Sequence, residues 1–204
     1  MASVILHPNG DDDAIWTPSS GTTRWQLVDE AVASHDGAST EITTTGTTGQ
    51  HFTTDNVPAD FASVNTLQQK VVAKQSGRVD DTAGISVNLF EAGTGSELNT
   101  ALEQNLNTVT TYTTYTGTAS ISAAWGSGPL NTMIIRVGST RTNSGMADSV
   151  TWYCTAVEVV MDYTASGPAT EQPYYVRTGG VPGMRIGRPG SVFGRSWMRR
   201  HAWL

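Results

Sequence analysis

The sequence predicts an all-β fold, an antiparallel β-sandwich of jelly-roll type, followed by an extended irregular C-terminal arm. Three observations carry this. The 204 residues include 30 threonines and 21 glycines, while charged residues make up only 15%. Threonine is β-branched and suits a pleated, half-solvated surface, and glycine supplies turns. Short apolar runs, roughly eight to ten, recur between turn clusters without strand–helix–strand alternation. After Tyr163 the chain becomes rich in Gly and Pro, which neither a helix nor a central strand tolerates.

Taken in order, residues 3–6 form a short apolar strand that ends at the turn chemistry of Pro8 and Asn9-Gly10. Residues 24–30 read as extended, with Trp25 and Leu27 as apolar side chains. Residues 50–54 give another short strand. The longest candidate covers residues 62–75. Leu67, Val71 and Ala73 fall on one face, and Val64, Lys70, Val72 and Lys74 on the other. Its imperfect alternation predicts a bulge or burial on both faces. Residues 85–90 alternate cleanly, with Ile85, Val87 and Leu89 on one side. Leu98, Ala101 and Leu102 have helical spacing, so residues 96–105 read as a helical turn. Residues 109–118 and 133–137 read as strands. The last long strand is expected over 150–163, with Tyr153, Val157, Val159, Met161 and Tyr163 opposite Trp152, Cys154 and Ala156.

Charge divides the chain more sharply than hydrophobicity does. Residues 1–171 carry six basic and 18 acidic groups, formally −12, whereas residues 172–204 carry +6 and no acid. The expected organisation is a body at 1–165 and an arm at 166–204. The arm also holds Tyr174, Tyr175, Phe193, Trp197 and Trp203. A solvated linker has few such residues; a segment that lays apolar anchors and arginines onto a partner needs them. Arg177, Arg185, Arg188, Phe193, Arg195, Trp197, Arg199, Arg200 and Trp203 are therefore the candidate docking residues, because Arg and Trp dominate protein interfaces. Nucleic acid is the lesser alternative: six charges without a folded reader give weak, salt-sensitive binding.

No catalytic constellation is expected, and no cofactor. The histidines His7, His35, His51 and His201 are scattered, without ligand spacing for zinc. Phosphate-loop and nucleophile-elbow patterns do not occur. Asp11-Asp12-Asp13 lacks the spaced ligands of a calcium loop and reads as a solvated acidic turn. Asp29-Glu30 and Asp80-Asp81 read as surface charge, since neighbours on a strand point to opposite faces. The lone Cys154 excludes an intrachain disulfide and reads as a buried thiol. Membrane association is not expected, because no apolar run nears the ~18 residues of a spanning helix. The N-terminus lacks the basic and long apolar regions of a signal peptide. An aromatic set of Trp16, Trp25, Tyr112, Tyr115, Trp125 and Trp152 offers a second reading, a carbohydrate-binding adhesin with a sugar-stacking platform. Burial in a core or rim is the commoner fate of such residues.

Several stretches resemble tailed-bacteriophage and prophage virion proteins with a β-sandwich or jelly-roll fold. They are residues 6–11 (LHPNGD), 16–21 (WTPSSG), 25–30 (WQLVDE), 52–58 (FTTDNVP), 64–74, 111–115 (TYTTY) and 150–163. The resemblance covers about residues 1–165 and brings no catalytic residues. It implies a virion structural protein made in the host cytoplasm, either a capsid decoration, head-fibre or tail-associated part. Its partners would be capsid, connector or tail proteins. Symmetric self-assembly, a trimer being one option, is the default for such parts.

Overall fold

A computed structural model describes residues 1–76, 82–142 and 150–167. By internal contacts the chain divides into Met1–Ser166 and Gly167–Leu204; nearly all of the second unit lies outside the described residues.

Among the described residues, the first unit is a two-sheet antiparallel sandwich of eleven strands. These are β1 (Ala2–Leu6), β2 (Pro8–Asp11), β3 (Thr17–Pro18), β4 (Ile42–Thr44), β5 (Gly49–Thr54), β6 (Phe61–Ser76), β7 (Thr82–Glu91), β8 (Leu102–Asn105), β9 (Thr113–Thr116), β10 (Met133–Thr142) and β11 (Thr151–Ala165). One short helix, α1 (Ser127–Asn131), precedes β10. The first sheet runs β3-β4-β11-β6-β9, with β1 on the same edge of β11 as β4; the second runs β2-β5-β10-β7-β8. Strands β4–β11 thus give the orders β4-β11-β6-β9 and β5-β10-β7-β8. That is the strand order of an eight-stranded jelly roll, to which β1–β3 are additions.

The core lies between the sheets. Leu67, Val71, Trp152, Val157, Val159 and Met161 on one side face Phe52, Ile85, Val87, Leu89, Ile135 and Val137 on the other. At ~25 cal/mol per Å² removed from water, burial of this kind is what offsets the chain's ordering entropy.

Two register shifts correct the expected strand faces. A bulge between Cys154 and Ala156 changes the alternation of β11, so Trp152 and Cys154 share the core with Val157 and Val159 rather than facing away from them. Another shift, at Asp162/Tyr163, pairs Thr66 and then Val64, which turns Val64 into the core and away from Lys70 and Val72.

Three further expectations fail. Residues 24–30 are not extended: Trp25–Leu27 is a 3-10 turn, started by the Asp11 carboxylate, which accepts from Arg24 N (2.9 Å) and Trp25 N (2.8 Å). Residues 96–105 form no helical turn. Leu102–Asn105 pairs with β7, and Leu98 N donates to Leu89 O, so sheet pairing overrides the 3.6-residue spacing. Pro8–Asp11, expected as a turn, is edge strand β2, with a shift between Pro8 and Gly10.

The outer face of the first sheet is partly covered by the segment before β4. Val157 N donates to Val28 O, and Thr155 Oγ1 donates to Gly37 O and Thr40 O. Val32, Val72, Ala156 and Tyr112 form a small second apolar cluster there. Glu158 is buried beneath it, 3.0 Å from Lys70 Nζ and accepting from Val32 N. This cover explains why β6 and β11 are apolar on both faces.

Candidate functional site

The nine candidate docking residues, Arg177, Arg185, Arg188, Phe193, Arg195, Trp197, Arg199, Arg200 and Trp203, all lie outside the described residues. So does Asp80-Asp81.

The aromatic set is not brought together as a platform. Trp16 and Trp152 are fully buried, and Trp25, Tyr115 and Trp125 pack against the core. Tyr112 belongs to the outer cluster, where Lys74 Nζ lies 4.1 Å from its ring centre and 4.7 Å from that of Tyr153. Tyr112 also donates to Glu41, whose carboxyl pKa is raised by burial and partly lowered again by Lys74.

The acidic run is no solvated turn, because its three carboxylates diverge. Asp11 anchors the 3-10 turn and lies 3.9 Å from Arg24 Nη1. Asp13 accepts from His51 N (2.9 Å) and contacts His51 Nδ1. These two contacts hold the His51 ring against the acidic run. Asp12 alone stays exposed. The run is held by Gln50, a buried residue whose Oε1 accepts from Ile15 N and Trp16 N while Nε2 donates to Asp13 O and His51 O.

Asp12 and His51 border a recess of about 360 Å³ on the outer face of the second sheet, completed by Phe90, Glu91, Ala92, Gly93, Gly95, Ile134 and Arg136. Strand pairing builds it. Ile134 lies opposite Phe90 on β7 and Thr53 on β5, and Arg136 lies opposite Asn88 and His51. Paired residues share a face, so Phe90 and Ile134 form one apolar row and His51, Arg136 and Asn88 a polar row beside it. The turn after β7 closes one side. Gly95 N donates to Glu91 O, Thr94 Oγ1 donates to Glu91 Oε2, and Gly93 and Gly95 take the positive φ values of 81° and 68° that favour glycine. Arg136 is exposed and has no ion-pair partner among the described residues. Its side chain leans across Gly49, where a Cβ would collide with it.

Sequence reasoning missed this recess. Phe90 and Arg136 are 46 positions apart, and only the β7–β10 register brings them to one face; the clean alternation of residues 85–90 was the one available signal.

Cys154 is fully buried, and desolvation pushes its thiol up to about 12, against a smaller opposing effect of a hydrogen bond with the Ala156 backbone. It is an inert core thiol. No helix among the described residues is long and apolar enough to cross a membrane. No family model matches the chain, and no curated protein matches it.

Proposed function

We propose that this chain is a non-enzymatic structural component of a tailed-bacteriophage particle, either a capsid decoration protein or a head–tail or tail-attachment protein, docking through residues 172–204. The observation that carries the reading is the charge division. The acidic jelly-roll unit ends at Ser166, and six of the twelve basic residues follow within the last 28 positions, interleaved with Phe193, Trp197 and Trp203. A basic, aromatic segment that follows the acidic unit in sequence suits attachment to an acidic protein surface, where charge steers the encounter and aromatic burial supplies affinity. The body's own features support a scaffold role: Asp11, Asp13, Glu158 and Gln50 are engaged in holding the fold. Fold alone does not set function, and the phage setting rests on the sequence resemblance. Symmetric self-assembly on the particle belongs to the same proposal.

The test is co-sedimentation with particles that lack this protein, comparing residues 1–204 with residues 1–171. Binding by the full chain alone is expected. Equal binding by both would move the docking surface to the sandwich, and no binding by either would refute the virion reading.

A further inference from the structure

We propose that the recess over Phe90 and Ile134 is a binding site for a neutral pyranose sugar, presented as a terminal or side-branch residue of a surface glycan. This goes beyond the structural role above and does not depend on it.

The first ground is the placement of Phe90. It is an aromatic residue pointing outward from the sheet, half-buried, with Ile134 beside it. The neighbouring outward positions on these strands are small or polar: Ser86, Asn88, Gly138, Thr140 and Thr53. No core packing requires an apolar row there. A pyranose has one face of C–H groups that such a row can cover, as in small-ligand sites with an apolar floor and a few polar groups.

The second ground is the rim. Arg136 offers guanidinium donors and has no ion-pair partner among the described residues. Asp12 and Glu91 offer carboxylate acceptors, and the His51 ring adds a further polar group. Sugar hydroxyls donate and accept at once, so a rim carrying both kinds of partner suits them. Charged ligands fit less well. Asp12 and Glu91 oppose a carboxylate or phosphate, and Arg136 opposes a cation.

Third, the size is right. About 360 Å³ lies at the small end of ligand sites and holds one or two sugar rings. The turn that closes one side carries no side chain at Gly93 or Gly95, and nothing lies within 4 Å of a Cβ placed at either, so a longer chain can pass over it. A shallow site of this kind binds weakly, with Kd of about 1 mM, and gains strength only through repeated copies.

The test is saturation-transfer NMR on the full chain with the methyl pyranosides of glucose, galactose, mannose and N-acetylglucosamine at about 10 mM. Methyl glucuronide and sialic acid serve as acidic comparisons. Saturation transfer to at least one neutral pyranoside is expected, falling tenfold or more in Phe90→Ala and in Arg136→Ala. Arg136 is exposed and outside the core, so Arg136→Ala decides the matter if Phe90→Ala fails to fold. Silence across the neutral sugars, transfer to the acidic sugars alone, or undiminished transfer in Arg136→Ala would overturn the proposal.

Discussion

Replacing Gln50 by alanine tests whether one buried amide holds the whole approach to the second sheet. Gln50 accepts from Ile15 N and Trp16 N, both at 3.0 Å, and donates to Asp13 O at 2.7 Å and His51 O at 3.2 Å. These four bonds are not equivalent. His51 O keeps a second partner, Asp12 N at 3.0 Å, and Ile15 is half-exposed, so water can reach its N–H. Trp16, by contrast, is fully buried, so its N–H is orphaned, and Asp13 O loses its closest donor. An orphaned buried group costs about 1–3 kcal/mol, and the removed methylene and amide leave a small void. The expected loss is about 2–4 kcal/mol, or about 4–16 °C in thermal midpoint for a unit of this size. Urea unfolding followed by tryptophan fluorescence measures it, with m unchanged. Gln68→Ala is the control: its single bond, to Gly117 O, is part-exposed, and a loss below about 1 kcal/mol is expected. If Gln50→Ala costs no more than Gln68→Ala, the amide is not what fastens residues 13–16, and the account of the acidic run falls with it.

Other outcomes follow from the same structure. Lys70→Met strands the Glu158 carboxylate, 4% exposed, with only Val32 N as partner. A loss of about 2–3 kcal/mol is expected, below the usual value for a broken buried pair because Lys70 is 28% exposed; in Lys70→Met/Glu158→Met much of it should return, and a double-mutant cycle by urea unfolding reads the difference. Gly117→Ala puts a Cβ 2.7 Å from Gln69 Oε1, and the Gln69 amide is pinned by Val87 O, Asn99 and Thr100 O, so it cannot yield. Thermal unfolding should show a loss of about 1–3 kcal/mol. Cys154 should resist a thiol reagent at neutral pH until the chain is denatured, and then react once. Its raised pKa also fixes the sign of a pH effect: the unfolded thiol ionises near 9.0 while the folded one stays neutral to about 12, so this group's contribution is whole below 9.0 and is lost as pH rises across that window. Urea midpoints that rise between those values in Cys154→Ser relative to the parent are the expected reading.

Local residue patterns alone were enough to specify the class of fold. Thr-rich alternation, the glycine-punctuated runs and the clean period of Ile85, Val87 and Leu89 suffice for a sandwich, because period-two burial is a local property of the chain. The sequence also located the strands β5, β6, β7, β10 and β11 to within a few residues, and the charge division at 171/172. What it left to the tertiary structure depends on partners distant in sequence. The faces of β11 and β6 were misassigned beyond Cys154/Ala156 and Asp162/Tyr163, since one extra residue in a bulge reverses every later side chain. Leu98 and Leu102 carry helical spacing yet lie in sheet pairing, because β7 offers hydrogen bonds that a short helix cannot match. Asp13 and His51 are 38 positions apart, and Phe90 and Arg136 are 46 apart. Only the registers of β5, β7 and β10 bring the recess residues to one face, and a register is a choice among long-range pairings that no local run of residues contains.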